Sequence, residues 1–387
     1  MKKTYLFLSL LVAVVMLLTA CGPAATPTAA PVVATQPPAP VATQPPAPVA
    51  TQPPAPVATQ PPAPTAVPPT PTTAPTPIPA PICSPLPDAM PAPKAGDLGA
   101  FGTPITIAFV PSGESGVIAS SSSAIAACLD KMTGLTYAVQ TGTSYAAAIE
   151  AMGAGKAQVG FLNTFSILIA QAKYGIIPAL VNLRNYQTND LDPDKGLSGK
   201  LEPFYKAQYI TTAASGIKKF ADLKGKTFCF VDPLSTSGYV IPRIELKANG
   251  INPDSDFAST TNAGSHQNVA SSVYKGDCDA GVTFINVLTD ATLNKTYPDI
   301  QTKLTVFADS IRIPNDGVQY IKTLDPKVQA ITTEALLAMA KDPGGKVVLA
   351  KLYTINAFQT IDKSFTGYAD FLALLKKAGV DPSSMVK

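Results

Sequence analysis

The sequence contains no tryptophan and a single histidine, His266. One imidazole excludes every multi-histidine metal site and most histidine-driven catalysis. Charge is sparse as well. Charged residues make up 14% of the chain, and Lys+Arg 29 against Asp+Glu 26 leaves a formal charge of +3. There is no basic excess or stripe of the kind that marks a nucleic-acid binder. Beyond the amino terminus no apolar run approaches the length of a membrane-spanning helix.

Proline is abundant, but in one place. Residues 22–93 hold 26 of the 39 prolines. Thr-Gln-Pro-Pro-Ala-Pro-Val-Ala starts at Thr35, Thr43 and Thr51, and an altered copy starts at Thr59. An eight-residue period this polar cannot stack into a solenoid with a core. Proline fixes φ and removes amide donors, so the segment is expected to be polyproline-II-like or disordered. At about 3.1 Å per residue, residues 22–81 reach on the order of 180 Å. From about Ala100 to Lys387 the composition is ordinary and globular. That length suffices for two lobes and a large buried core.

The amino terminus reads as an address. Met1-Lys2-Lys3 is a positive tip and Leu6 to Leu18 an apolar run too short to span a bilayer. It ends in Leu18-Thr19-Ala20-Cys21-Gly22, which resembles the bacterial lipobox. The resemblance implies residues 1–20 as a signal peptide, cleavage before Cys21 and lipidation of its sulfur. Acyl chains contributing about 0.8 kcal/mol per buried CH2 would then anchor the chain outside the cytoplasm. Residues 21–99 would be the lipidated cysteine and its tether. The alternative is a soluble secreted protein with a chance cysteine at the cleavage site.

The globular part alternates strand and helix. Ile105–Val110, Leu135–Val139, Ala157–Leu162 and Ile176–Leu183 read as strands. Ser115–Met132, Tyr145–Met152 and Thr164–Lys173 read as the helices between them. After a loop around Arg184–Glu202 the pattern restarts. Tyr205–Thr212 reads as a strand that crosses over, and Lys226–Val231, Phe257–Thr261 and Ala280–Phe284 are strands alternating with helices Gly238–Asn249 and Gly264–Tyr274. Thr305–Ala308 and Val318–Ile321 are late strands, the second returning to the first lobe. Pro326–Met339, Gly345–Tyr353 and Phe365–Ala378 read as a helical tail. Such alternation predicts parallel sheets covered on both faces. The fold class expected is α/β, two doubly wound lobes with a hinge and an interlobe cleft. Residues 100–203 with about 317–387 form one lobe and 204–316 the other. Ligands of such sheets bind at strand carboxyl ends, near helix amino termini.

One segment carries chemistry. Phe230-Val231-Asp232-Pro233-Leu234-Ser235-Thr236-Ser237-Gly238-Tyr239 follows a strand and opens a helix. Three hydroxyls in a row meet the free amides and positive end of a helix dipole, which makes an oxyanion cradle. A plain N-cap is the alternative, since Ser and Thr are favoured there anyway.

The wider pattern resembles the phosphate, phosphite and phosphonate-binding proteins of ABC importers, which have the type II periplasmic-binding-protein fold. The resemblance spans about Ile105 to Asp316. It rests on Phe109-Val110-Pro111-Ser112, on Tyr145 opening the second helix, and on Ala221-Asp222-Leu223-Lys224-Gly225-Lys226-Thr227. The Ser-Thr-Ser-Gly-Tyr block, Ala263-Gly264-Ser265-His266 and Gly276-Asp277-Cys278-Asp279-Ala280-Gly281 complete it. Membership implies that Ser235, Thr236 and Ser237 hold a phosphorus oxyanion, with Tyr145, Tyr205, Ser112, His266 and Asp316 around it. It also implies an ABC transporter permease as partner, no cofactor and no catalysis. Aminophosphonate binders of this family carry an acidic residue after the last of these motifs; here Asn286 stands at that place. A ligand without a cation is therefore expected: phosphite, phosphate or a small alkylphosphonate. A monomer is expected, with no nucleic acid and no membrane contact except through the anchor.

Other readings remain. The same fold can take another small anion or an organic solute. A surface hydrolase or a sensory module is a different class, but Ser237 lies in Thr-Ser-Gly rather than a Gly-x-Ser-x-Gly elbow. Asp190-Leu191-Asp192-Pro193-Asp194-Lys195-Gly196 with Glu202 is similar to a calcium loop; its glycine and glutamate are one place late, and a solvated acidic loop is preferred, with no metal. Ser120–Ser123 reads as a helix start near the cleft or as simple surface. After processing four cysteines remain, which allows three disulfide pairings or four free thiols. Cys229 and Cys278 lie on or beside strands expected to be neighbours. Cys229–Cys278 is favoured on that ground, and Cys83–Cys128 by elimination.

Overall fold

The computed structural model describes residues 83–384. The candidate signal peptide, Cys21 and the proline-rich repeat lie outside the described residues.

Apolar Ile105–Phe109 forms β1. Ser115–Thr133 follows as α1, its first turn capped by the Glu114 carboxylate, which accepts from the Val117 N–H. Gly134 ends it at φ 77. A Cβ there would fall 2.4 Å from the Met90 carbonyl oxygen, so only glycine fits. Tyr137–Thr141 (β2), Tyr145–Gly153 (α2), Val159–Leu162 (β3), Thr164–Tyr174 (α3) and Ile177–Asn185 (β4) continue the alternation. Leu201–Glu202 (β5) folds back on β4, and Phe204–Tyr205 (β6) begins the crossing.

Beyond the crossing come Ala207–Thr212 (β7), Thr227–Phe230 (β8), Ile241–Ala248 (α4), Ser259–Asn262 (β9), His266–Lys275 (α5) and Ala280–Phe284 (β10). Ala291–Thr296 (α6) and Ile300–Lys303 (α7) lead to Leu304–Asp309 (β11) and the return segment Ile313–Pro314 (β12). Gly317–Tyr320 (β13), Pro326–Met339 (α8), Pro343–Tyr353 (α9), Ala357–Thr360 (β14) and Gly367–Lys377 (α10) finish the described chain.

The first sheet has the order β14-β4-β13-β3-β1-β2, and the second β11-β7-β10-β8-β9. We refer to the parts built on them as lobe 1 and lobe 2. A two-stranded ladder of β6 with β12 joins the two crossings, pairing Tyr205 with Ile313. The sheets are mixed rather than parallel. β13 runs antiparallel to β3 and β4, and β7 antiparallel to β10 and β11. The register gives the reason: β13 starts, at Gly317, opposite Leu162, where β3 ends. β7 starts, at Ala207, opposite Phe284, where β10 ends. A strand entering from the crossing must run against strands that finish there. The late strand at Val318 does return to the first sheet, as its sequence suggests. β14 has no counterpart in the sequence reading, because its four residues Ala357-Phe358-Gln359-Thr360 are too short to show a period.

Each lobe has an aromatic centre. Phe109 stacks on Phe161 at 4.8 Å in lobe 1. Phe228 lies 4.8 Å from both Phe230 and Phe257 in lobe 2. Disulfides join Cys83 to Cys128 and Cys229 to Cys278, with Cα separations of 5.1 and 5.9 Å. The second follows from β8 and β10 being parallel neighbours.

Three expectations are corrected. Residues 83–99, assigned above to the tether, lie along lobe 1. The Leu86 and Met90 N–H groups donate to the Met132 and Thr133 carbonyls, and the Thr136 N–H donates to the Gly99 carbonyl. Ser120–Ser123 sits inside α1, where Ser121 and Ser122 are buried and the hydroxyls of Ser120 and Ser123 bond back to Val117 and Ala119 carbonyls. The acidic loop is solvated at Asp190 but not at Asp192. Asp192 is buried, and the Lys206 ammonium sits 2.7 Å from Asp192 and 2.9 Å from Asp194. Tyr186 donates to Asp192 at 2.8 Å, and Arg312 pairs with Asp194. Burial pulls the Lys206 ammonium down, but its two carboxylate partners more than offset this, so its pKa is raised. Internal ammonium thus neutralises the cluster that resembles a calcium loop.

Candidate functional site

The loop after β8 does not run straight into a helix. Thr236–Val240 forms a π-helical turn, with bonds from the Val240 N–H to the Ser235 carbonyl and from the Ile241 N–H to the Thr236 carbonyl. Such wide turns are rare and gather at functional sites. The Ser235 hydroxyl caps it by accepting from the Gly238 N–H at 3.1 Å. Gly238 is sterically obligatory, because a Cβ would lie 2.3 Å from Val231 Cγ2. The helix expected from Gly238 begins at Ile241, with Pro242 in its first turn. Ser235, Thr236 and Ser237 are all at most 2% exposed.

Lobe 1 closes on this loop through the start of α3. Asn163 Nδ2 donates to the Leu234 carbonyl and to Thr236 Oγ1, each at 2.9 Å. The Phe165 N–H also donates to Thr236 Oγ1, at 2.9 Å. A hydroxyl has two lone pairs and one proton. With both lone pairs engaged by lobe 1, Thr236 has only its proton left to offer. It can therefore serve a ligand as a donor alone, which suits an oxyanion. The Asn163 Oδ1 and the Tyr145 hydroxyl have no hydrogen-bond partner among the described residues, although Tyr145 is 1% exposed. Buried polar atoms without partners are rare in folded proteins and mark where a further group is accommodated.

The remaining predicted residues gather here, with one exception. Tyr145 opens α2 beside Ser235; burial raises its phenol well above the ordinary value, the Ser235 hydroxyl opposes this, and Asp232 and Asp316 add to it. Tyr205, buried in β6, is raised mainly by burial and then by Asp316, against the effects of Arg184, Ser237 and Thr236. His266 starts α5, and its backbone N–H reaches the Ser112 carbonyl across the lobes at 3.5 Å. Its Nδ1 accepts from the Phe284 N–H at 3.0 Å, which puts the proton of the neutral ring on Nε2. Burial first, and the Arg184 charge second, lower its pKa to about 3. His266 is thus a neutral donor, unsuited to base catalysis. Asn286 is half-buried in a left-handed conformation at φ 74, just after β10. Its carbonyl accepts from Thr289, and its side chain makes no hydrogen bond among the described residues. It makes no hydrogen bond to the cradle.

Asp316 is at the site but is not free. Its Oδ2 lies 2.6 Å from Arg184 Nη2. Arg184 Nη1 donates to Asn315 Oδ1 at 3.2 Å and Nε to the Tyr353 carbonyl at 3.0 Å, and the guanidinium lies 5.0 Å from the Tyr205 ring centroid. Sequence reasoning missed Arg184, Asn163 and Tyr353. Arg184 was assigned to a loop, yet it lies in β4. Asn163-Thr164 carried a usable signal: a polar pair between an apolar strand and a helix, as in the Ser235 loop. Tyr353, whose hydroxyl donates to the Val110 carbonyl at 2.6 Å, arrives from 243 residues away and left none.

The family model for the periplasmic substrate-binding protein of phosphonate ABC transporters matches residues 107–366. The chain belongs to this family. Among curated relatives, this binding protein is 29% identical over 204 residues to the phosphate-import protein PhnD of Mycolicibacterium smegmatis, covering 50% of this chain and 58% of that one. It is 30% identical over 154 residues to the phosphonates-binding periplasmic protein of Escherichia coli, covering 39% and 45%. The chain spans about half the length of the curated relatives it matches. Among solved structures, it is similar to the binding-protein component of an ABC phosphonate transporter from Pseudomonas aeruginosa. That match has a TM-score of 0.60 at 21% identity and covers 71% of this chain and 86% of that one. PhnD1 from Prochlorococcus marinus, solved with methylphosphonate, gives 0.59 at 16% identity, covering 71% and 98%. The fold is that of the type II periplasmic binding proteins, as its two mixed α/β lobes also indicate. Among the described residues no helix is long and apolar enough to cross a membrane.

Proposed function

We propose that this binding protein captures a small phosphorus oxyanion, namely phosphite, phosphate or an alkylphosphonate, outside the cytoplasm and delivers it to an ABC permease. The observation that carries this reading is Thr236: both lone pairs are committed across the lobes and a lone proton is left at a buried, uncharged cradle. Ser235, Ser237, Tyr145, Tyr205 and the Nε2–H of His266 supply the other polar contacts. Lobe 1 comprises 100–203 and 317–387 with residues 83–99 laid along it, lobe 2 comprises 204–316, and the β6–β12 ladder is the hinge. Hydrogen bonds in a desolvated cleft, completed on closure, provide the affinity. The protein acts as a lipid-anchored monomer through Cys21 and performs no chemistry.

Isothermal titration tests it with phosphite, phosphate, methylphosphonate, 2-aminoethylphosphonate and sulfate. Tight binding of one phosphorus oxyanion over sulfate is expected. Silence across the panel would remove the assignment and reduce the cradle to a helix cap.

A further inference from the structure

The charged corner of the cleft bears on which phosphorus ligands are refused. A ligand ammonium needs a free carboxylate. Two carboxylates stand close enough to act on the Tyr145 phenol, Asp232 and Asp316. Asp232 keeps Oδ2 without a hydrogen bond among the described residues, but Oδ1 accepts from the Leu234 N–H at 2.8 Å and burial disfavours its charged form. Asp316 is the one placed among the cleft tyrosines from the crossing, and it is already paired with Arg184 at 2.6 Å.

The guanidinium is held from three sides. Nε, Nη1 and Nη2 each have their own acceptor, on Tyr353, Asn315 and Asp316. Its flat face lies against Tyr205. Both charged side chains are 13% exposed, so water does little to loosen them. A planar fork fixed in this way is hard to displace by a flexible ligand amine. Arg184 comes from β4, whereas Asp316 and Tyr205 come from the two crossings. The pair is therefore assembled where the lobes meet.

We infer that Arg184 is the specificity residue that excludes ammonium-bearing phosphonates, its guanidinium holding the place beside Asp316 that a ligand cation would take. This rests on the oxyanion reading and deepens it. Arg184 does not need to touch the oxyanion. By neutralising Asp316 it also spares an anionic ligand the repulsion of a bare carboxylate.

The test is titration of the full chain, purified in detergent, with methylphosphonate and 2-aminoethylphosphonate. Wild type should prefer methylphosphonate. Arg184→Gln should shift the affinity ratio at least tenfold toward the aminophosphonate. Asp316→Asn, which keeps the shape and leaves the cation unopposed, should shift it the other way. If Arg184→Gln fails to fold, the direction of the Asp316→Asn shift still decides. A ratio moved less than twofold by Asp316→Asn, or moved toward the aminophosphonate, would overturn the inference while leaving the oxyanion reading intact. Wild-type preference for the aminophosphonate would do the same. Wild-type silence toward both ligands would overturn the oxyanion reading and this inference with it.

Discussion

The two walls of the cleft carry their polarity in opposite ways. The lobe 2 wall is a run of hydroxyls and amides on a π-helical turn, with no formal charge between Leu234 and Ile241. The facing corner holds a full ion pair, Arg184 with Asp316, closed on itself and on the backbone of Tyr353. The uncharged wall has hydrogen-bonding capacity left over; the charged one has little. On the proposed reading, recognition would use the leftover capacity and the charge would filter.

The sharpest break of that comparison uses a third polar cluster, Lys206 with Asp192 and Asp194, as a control for charge without recognition. Lys206→Met strands Asp192, whose side chain is fully buried. Breaking a buried pair costs about 3–5 kcal/mol. Urea denaturation should show that loss, while the ligand selectivity of the surviving fold stays the same. A change in selectivity would mean that the crossing cluster also faces ligand.

Gly238→Ala attacks the uncharged wall through its backbone. Overpacking against Val231 is expected to cost about 1–3 kcal/mol of stability, and the widened turn should lose its ligand heat altogether in calorimetry. Normal ligand heat in this variant would show that the π-turn is not needed for recognition.

Thr236→Val keeps the shape and removes the oxygen. It costs the ligand a donor and leaves the Phe165 N–H and Asn163 Nδ2 short of an acceptor. Leaving such groups unpaired costs about 1–3 kcal/mol, so affinity should fall roughly 5- to 150-fold. Asn163→Ala should mimic part of this, since it removes one of the two donors to that oxygen. Equal affinity in both variants and wild type would deny the lobe-to-lobe role of that hydroxyl.

The smallest effect concerns pH. His266 is held neutral when folded, with a pKa of about 3, against an ordinary value of 6.5. Between these values the unfolded chain binds the extra proton. Stability from this group is complete above pH 6.5 and falls as the medium is acidified. The loss is about 1 kcal/mol between pH 6.5 and 5.5. His266→Asn keeps an acceptor for the Phe284 N–H and should flatten that limb. An unchanged acid limb in His266→Asn would mean the imidazole is not desolvated.

The sequence made the strand–helix order and the Cys229–Cys278 bond legible because each is local or strand-borne, whereas Cys83–Cys128 followed only by elimination. β10 runs over Ala280–Phe284 as its apolar run suggests, and three consecutive hydroxyls before a helix can be seen without coordinates. Arg184, Asn163 and Tyr353 could not be found that way. Their roles come from partners 71 to 243 residues distant. Asn286, which the aligned motifs put at the ligand, sits in a left-handed turn and makes no hydrogen bond to the cradle.

The Cys83–Cys128 bond has a mechanical consequence. Position 128 lies within α1, on the lobe 1 side of both crossings. Any tension arriving along the chain from its amino side is delivered into that helix by a covalent strut, before it can load β1. Among the described residues, lobe 2 is joined covalently to lobe 1 only through the two crossings. A pull on the chain from its amino side would thus be borne by lobe 1 rather than by the β6–β12 ladder.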